Sequence, residues 1–227
     1  MKILDQYIKE LEKELSSASV KPQTEEVGWV VEVRDGVTFL KGLDKVSYGE
    51  IIEFKQGEQG YVIDLQEDAV GAIVLGDYLK VKSGDTARAT GETLSIPVSE
   101  AIIGRVVDPL GRPLDGGSSI KTKKRYPLEK VAPGVVSRRS VNVSLQTGIK
   151  AIDALLAIGR GQRELIIGDR GTGKTTIAID SILNQKGQNV VCIYCAIGQK
   201  NSKVAALINL LKKNKAFDYS LVVSASA

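Results

Sequence analysis

The sequence contains no histidine. That excludes histidine general-base catalysis, Ser-His-Asp triads and histidine metal sites. Two cysteines in 227 residues are too few for a disulfide framework in a chain of this length. Aromatic residues make up 5%, thin for a surface that stacks bases. Long apolar runs are absent as well. The longest, Val190 to Ile197, falls far short of the roughly 20 residues a membrane-spanning helix needs. Met1-Lys2-Ile3-Leu4-Asp5-Gln6 is soon followed by charges and offers no signal-peptide core. Neither charge sign dominates: 31 Lys and Arg face 27 Asp and Glu, a net charge of +4. That excess is too slight to indicate nucleic acid. What is present is ordinary for a globular protein, with 43% apolar and 26% charged residues, so disordered and collagen-like classes are excluded. The length fits about one to two domains. A reducing compartment is expected.

Along the chain the hydrophobic period changes. Ile3, Leu4, Tyr7, Ile8, Leu11 and Leu15 recur at helical spacing, so residues 1–26 read as an amphipathic helix and linker. Residues 27–94 read as short strands, with apolar runs near 27–34, 37–40, 50–54, 61–65, 70–75, 79–81 and 86–94 separated by Gly or Asp. Asp35-Gly36 between two such runs is a hairpin signal. This spacing predicts a small all-β barrel or sandwich. Trp29, Phe39, Tyr48, Phe54, Tyr61 and Tyr78 are scattered through it, mostly at expected core positions. Residues 108–117, Asp-Pro-Leu-Gly-Arg-Pro-Leu-Asp-Gly-Gly, are dense in turn formers and read as a boundary. The basic run Lys121-Thr122-Lys123-Lys124-Arg125 reads as a solvated loop.

From Ile149 helix and strand alternate. Helices are predicted near 149–156, 175–184 and 202–213, the last with Val204, Leu207, Ile208 and Leu211 on one face. Strands are predicted at Glu164-Leu165-Ile166-Ile167, which reads as buried, at 189–197 and at 219–224. The β-α-β-α-β order predicts a parallel sheet covered by helices. The fold class is therefore α+β overall: a small barrel, then an α/β P-loop domain over residues 95–227.

One motif carries chemistry. Gly168-Asp169-Arg170-Gly171-Thr172-Gly173-Lys174-Thr175 fits G-x-x-x-x-G-K-[ST]. Glycines let backbone N–H groups approach phosphate oxygens without a Cβ clash. The following helix N-terminus favours anions. Lys174 supplies an ammonium for the β- and γ-phosphates, and Thr175 a hydroxyl for Mg²⁺. The pattern follows a predicted apolar strand and opens a helix, the context expected of such a loop. Cys192-Ile193-Tyr194-Cys195 has redox-like spacing but sits mid-strand, so buried inert thiols are expected. Hydrolysis also needs an acid holding Mg²⁺ and a residue orienting water. The 189–197 strand ends in Gly198-Gln199-Lys200, and Asp218 precedes its strand, so no second metal acid is visible.

A family resemblance appears at these residues. Thr147–Asp153, Ile158–Arg170, Thr172–Thr175, Ala178-Ile179-Asp180, Cys192-Ile193-Tyr194, Ala196–Lys200 and Val222–Ala225 closely resemble the alpha subunits of F-type ATP synthases. Gly104–Asp108 and Ala132–Val135 match as well. The resemblance implies a RecA-like nucleotide domain that continues past Ala227, incomplete here at its C-terminus, and a further helical domain. It implies ATP or ADP with Mg²⁺ at Gly168–Thr175. Its implied partners are beta subunits in an alternating hexamer, and the gamma and delta subunits of the rotary complex. It implies no nucleic acid, and contact with an energy-transducing membrane only through that complex, on its cytoplasmic face. The implied activity of the whole is ATP synthesis driven by a proton gradient. Beta subunits carry Glu where this chain has Gln199, and an amide takes no proton at neutral pH. The resemblance therefore implies a non-catalytic, regulatory site, and a chain that alone is inactive. Two positions depart from the pattern: Gly171 where alpha subunits usually have Gln, and Asn201 where they usually have Arg. The alternatives are related hexameric P-loop ATPases. A flagellar or secretion export ATPase would need Glu at Gln199, and the RNA-translocating termination factor Rho would need stacking aromatics.

Overall fold

The computed structural model describes residues 26–226. The helix expected over residues 2–16 lies outside them. Two compact units divide between Leu94 and Ser95.

The first unit is a closed antiparallel barrel. Its strands are β1 (Val27–Arg34), β2 (Val37–Lys41), β3 (Glu50–Phe54), β4 (Gln59–Leu65), β5 (Val70–Val74) and β6 (Thr86–Thr93). They pair in the order β1-β2-β5-β4-β3-β6, and β6 returns to β1. Closure leaves no unpaired edge. Asp35 and Gly36 both take positive φ, 47° and 83°, between paired Arg34 and Val37. That is the two-residue turn whose twist suits a hairpin. Register shifts occur in β1, β3 and β4, and such bulges sharpen the bend a small barrel needs. The Glu50 carboxylate lies buried beside one of them and accepts from the Ser47 and Gly91 N–H groups.

Val30, Leu40, Leu43, Ile52, Phe54, Val62 and Ala72 fill the interior. Of the six aromatics, expected mostly at core positions, only Phe54 is in this core. Trp29 is 52% exposed and lies on the outer face. Strand alternation decides this: Val30 points in, so Trp29 points out. Leu79, expected in a strand, lies instead in a 3₁₀ turn, Tyr78–Lys80, capped by the Asp77 carboxylate.

The second unit contains β7 (Ser95–Pro97), β8 (Val106–Val107), β9 (Arg125–Pro127), β10 (Ser144–Leu145), α1 (Lys150–Leu155), β11 (Ile158–Gly159), α2 (Lys174–Leu183), β12 (Cys192–Gln199), α3 (Asn201–Lys213) and β13 (Ser220–Ser226). The main sheet is parallel, in the order β12-β13-β8. Val204, Leu207 and Leu211 of α3 pack on Val106, Ala196 and Val222 of the sheet. Ile179, Ile182 and Leu183 of α2 pack against the same cluster.

Four expectations are overturned in this unit. Glu164–Ile167 forms no strand, and Leu165 and Ile167 are 82% and 84% exposed. A strand is defined by its partner, and no described strand pairs with this segment. The third strand of the sheet is instead β8, from Val106-Val107. Cys195 is exposed rather than buried, because it lies on the β12 face away from the core. Cys192 is half-buried, and burial pushes its thiol pKa up. Residues 108–117 lie inside the second unit, bridged to β8 through Val107 and Pro113. Arg125, the last residue of the basic run, belongs to β9 and bonds back to Ser95. Lys124 and Lys130 lie over the Tyr126 ring.

Candidate functional site

Gly168 to Gly173 form an irregular turn that runs directly into α2. Gly171 and Gly173 take φ of 83° and 93°. In both cases a Cβ would meet nothing within 4 Å. These glycines are therefore required by backbone conformation and not by crowding. At Gly168 a Cβ would come 3.0 Å from the Thr172 Oγ1. The Thr172 hydroxyl donates to the Asp169 carbonyl at 2.8 Å, which tightens the turn.

Gly173 is the N-cap of α2, in the left-handed conformation and with no side-chain acceptor. The orphan N–H groups of the first turn thus lack a capping side chain. Lys174, the first residue of α2, folds back over the loop. Its Nζ donates to the Gly168 carbonyl at 2.5 Å and to the Asp169 carbonyl. Asp169, Arg170 and Thr175 are exposed. The donor set is therefore an ammonium, a hydroxyl and a run of backbone N–H groups around glycines. That set suits a polyphosphate and its hard cation. No group of three or more His, Cys, Asp or Glu side chains able to hold a metal occurs among the described residues.

The structure thus places all of Gly168–Thr175 in one loop-to-helix junction. Gln199 lies apart in sequence, at the end of β12. Its Nε2 donates to the Tyr194 hydroxyl at 3.2 Å. No hydrogen bond joins Gln199 to the loop among the described residues.

Supporting contacts at the far end of α2 were not read from sequence. The Gln146 carbonyl accepts from Asn184 Nδ2 and Gln185 Nε2, both at 2.8 Å. The Tyr219 hydroxyl is shared between the Ile182 and Leu183 carbonyls. Just beyond Gln146, the Asp153 carboxylate accepts from the Thr147 hydroxyl, the Thr147 N–H and the Gly148 N–H. The Thr147 hydroxyl, followed by these backbone donors, holds the Asp153 carboxyl below its ordinary pKa. Gly148 has φ of 80°, and a Cβ there would meet Asn184 at 2.9 Å. This local Thr147–Asp153 pairing spans six residues, with Ile149 as the N-cap between them and no side-chain cap of its own. The tie to α2 was not legible in the sequence, because it joins residues almost forty positions apart.

No described helix is long and apolar enough to cross a membrane. A family model described as the nucleotide-binding domain of the ATP synthase alpha/beta family matches residues 148–227. A second, for the beta-barrel domain of the same family, matches residues 23–91. The chain is 54% identical over 217 residues to "ATP synthase subunit alpha" of Limosilactobacillus reuteri (strain DSM 20016), and equally to that of L. reuteri subsp. reuteri (strain JCM 1112). Each alignment covers 96% of this chain and 43% of the relative, so the chain spans less than half the length of these relatives. A closed barrel, a glycine-rich loop opening a helix, and two family matches on those same regions agree: the chain belongs to the ATP synthase alpha/beta family.

Proposed function

We propose that this chain is the barrel and nucleotide-binding part of an F-type ATP synthase alpha subunit, whose site holds Mg-ATP or Mg-ADP without turning it over. The observation that carries the reading is Lys174, folded over Gly168 and Asp169 at the uncapped start of α2. The ammonium exchanges those loop carbonyls for phosphate oxygens. The backbone N–H groups of 171–175 line the phosphates, and Thr175 supplies a hydroxyl ligand for Mg²⁺. Mg²⁺ held there would neutralise phosphate charge. Gln199 offers a carboxamide, which accepts a hydrogen bond from water but takes no proton from it. The site therefore retains nucleotide in a regulatory role.

The relatives' name supports assembly with other ATP synthase subunits. In this reading the chain alternates with beta subunits in a hexamer, contacts gamma and delta, and lies at a membrane only through the complex. The complex couples proton flow to ATP synthesis. The test is Mg-ATP binding by isothermal titration calorimetry to the parent chain and to Lys174→Ala. Losing a charge-assisted phosphate contact costs about 2–5 kcal/mol, at least roughly thirtyfold in Kd. Equal affinity in the two proteins would overturn the phosphate-loop reading.

A further inference from the structure

Strand alternation places residues five apart on opposite faces. Tyr194 and Gln199 are five apart on β12, yet their side chains are hydrogen-bonded. The backbone explains how. Between Ile197 and Gln199 the register against β13 slips: Ile197 pairs with Ala225, and Gln199 with the next residue, Ser226. The extra residue is Gly198, in the left-handed region at φ 62°. This bulge inverts the parity of everything after it.

The inversion matters because the two faces of β12 differ. Ile193, Cys195 and Ile197 lie on the exposed face. Tyr194 and Ala196 lie on the face that packs with Ile179 and Ile182 of α2. Without the bulge Gln199 would join the exposed residues. With it, Gln199 turns to the side of the sheet that carries the phosphate-loop helix. Its Nε2 is then committed to the Tyr194 hydroxyl, which leaves Oε1 as the remaining acceptor.

We infer that Tyr194, together with the left-handed Gly198, is a positioning residue for Gln199, and sets the carboxamide on the α2 face with its oxygen free for a water at the bound nucleotide. The inference rests on the proposed nucleotide site at Gly168–Thr175. Tyr194→Phe removes only the hydroxyl and keeps the packed ring. Gly198→Val opposes positive φ, whereas Gly198→Asn tolerates it.

The experiment is a double-mutant cycle on Mg-ATP affinity in the full chain, with the Gln199 side-chain amide followed by NMR. Tyr194→Phe and Gln199→Ala should each weaken binding about three- to tenfold, the range one neutral hydrogen bond sets. The double variant should bind no more weakly than Gln199→Ala alone. The Gln199 amide resonances should move in Tyr194→Phe and Gly198→Val, and return to parental positions in Gly198→Asn. A merely structural tyrosine would not give this pattern. Additive losses, or an unmoved Gln199 amide in Tyr194→Phe, overturn the inference while Lys174→Ala still weakens binding at least roughly thirtyfold. If Lys174→Ala binds like the parent, the site reading itself fails, and the inference with it.

Discussion

Asp115→Asn should destabilise the second unit and leave the barrel untouched. The Asp115 carboxylate accepts from Arg105 Nε at 2.6 Å and Nη2 at 2.8 Å. It also accepts from the Val106 N–H at 3.2 Å and the Gly117 N–H at 3.0 Å. Both side chains are largely shielded, at 18% and 21% exposure. The pair flanks β8, whose neighbours Gly104 and Arg105 bond to β13. The clamp thus fixes the third strand of the sheet. A hydrogen bond to a charged group contributes about 1.5–3 kcal/mol. Asparagine keeps one acceptor oxygen, so the expected loss is about 1.5–2 kcal/mol, toward the lower end of that range. For a unit of this size that lowers Tm by roughly 5–10 °C. Two probes separate the units. The single tryptophan, Trp29, lies in the barrel, and every described α-helix lies in the second unit. Tryptophan fluorescence should melt unchanged, while the helical circular dichroism signal melts early. The pH dependence has a definite sign. Arg105 holds the Asp115 carboxyl well below the usual carboxylate range. Its contribution is therefore complete above the unfolded value, near about 3.9, and is lost as pH falls toward the folded one. The gap between parent and variant should shrink below about pH 4. A gap that is absent at pH 7, or that widens on acidification, would refute the clamp.

Gly28→Ala should weaken the barrel, because the new Cβ would lie 2.5 Å from the Lys41 carbonyl oxygen and 2.7 Å from Leu43 Cγ. Backbone cannot give way as a side chain can, so a loss of about 1–3 kcal/mol is expected; an unchanged urea midpoint by Trp29 fluorescence would count against it. The parent chain should release no phosphate from Mg-ATP above blank, since Gln199 cannot act as a base; turnover that Lys174→Ala abolishes would show the site to be catalytic. Limited proteolysis should cut first between residues 128 and 173, where Val131, Val136, Leu165 and Ile167 stand exposed in largely irregular chain. A time course that removes the closed barrel before that region would contradict the exposure argument.

Where the sequence was legible, a local signal had a local cause. Asp35-Gly36 announced a hairpin because the turn needs two residues that tolerate positive φ. The glycine-rich turn before α2 was legible because its left-handed glycines and the helix start lie within eight residues. The apolar face of α3 was correct because helical periodicity depends only on the helix. Where the reading failed, the deciding partner was distant. The run 164–167 has strand composition but pairs with no described strand. The two-residue β8 shows no periodicity at all, and exists because β13, over a hundred positions on, accepts it.

Gln199 shows both limits in one residue. Its type was readable: an amide after Gly198 excludes a base, whatever the fold. Its placement was not, because counting from Tyr194 in steps of two puts it on the wrong face. The correction comes from one positive φ at Gly198 and one slipped pair against β13. Glycine in that position is thus a statement about which face the next side chain occupies. Composition shows which chemistry a site can perform, and backbone irregularities determine which side chains reach it. Those irregularities here fall at Gly148, Gly171, Gly173 and Gly198, each in the left-handed region and each adjoining a group that the nucleotide reading uses or a contact that anchors α2.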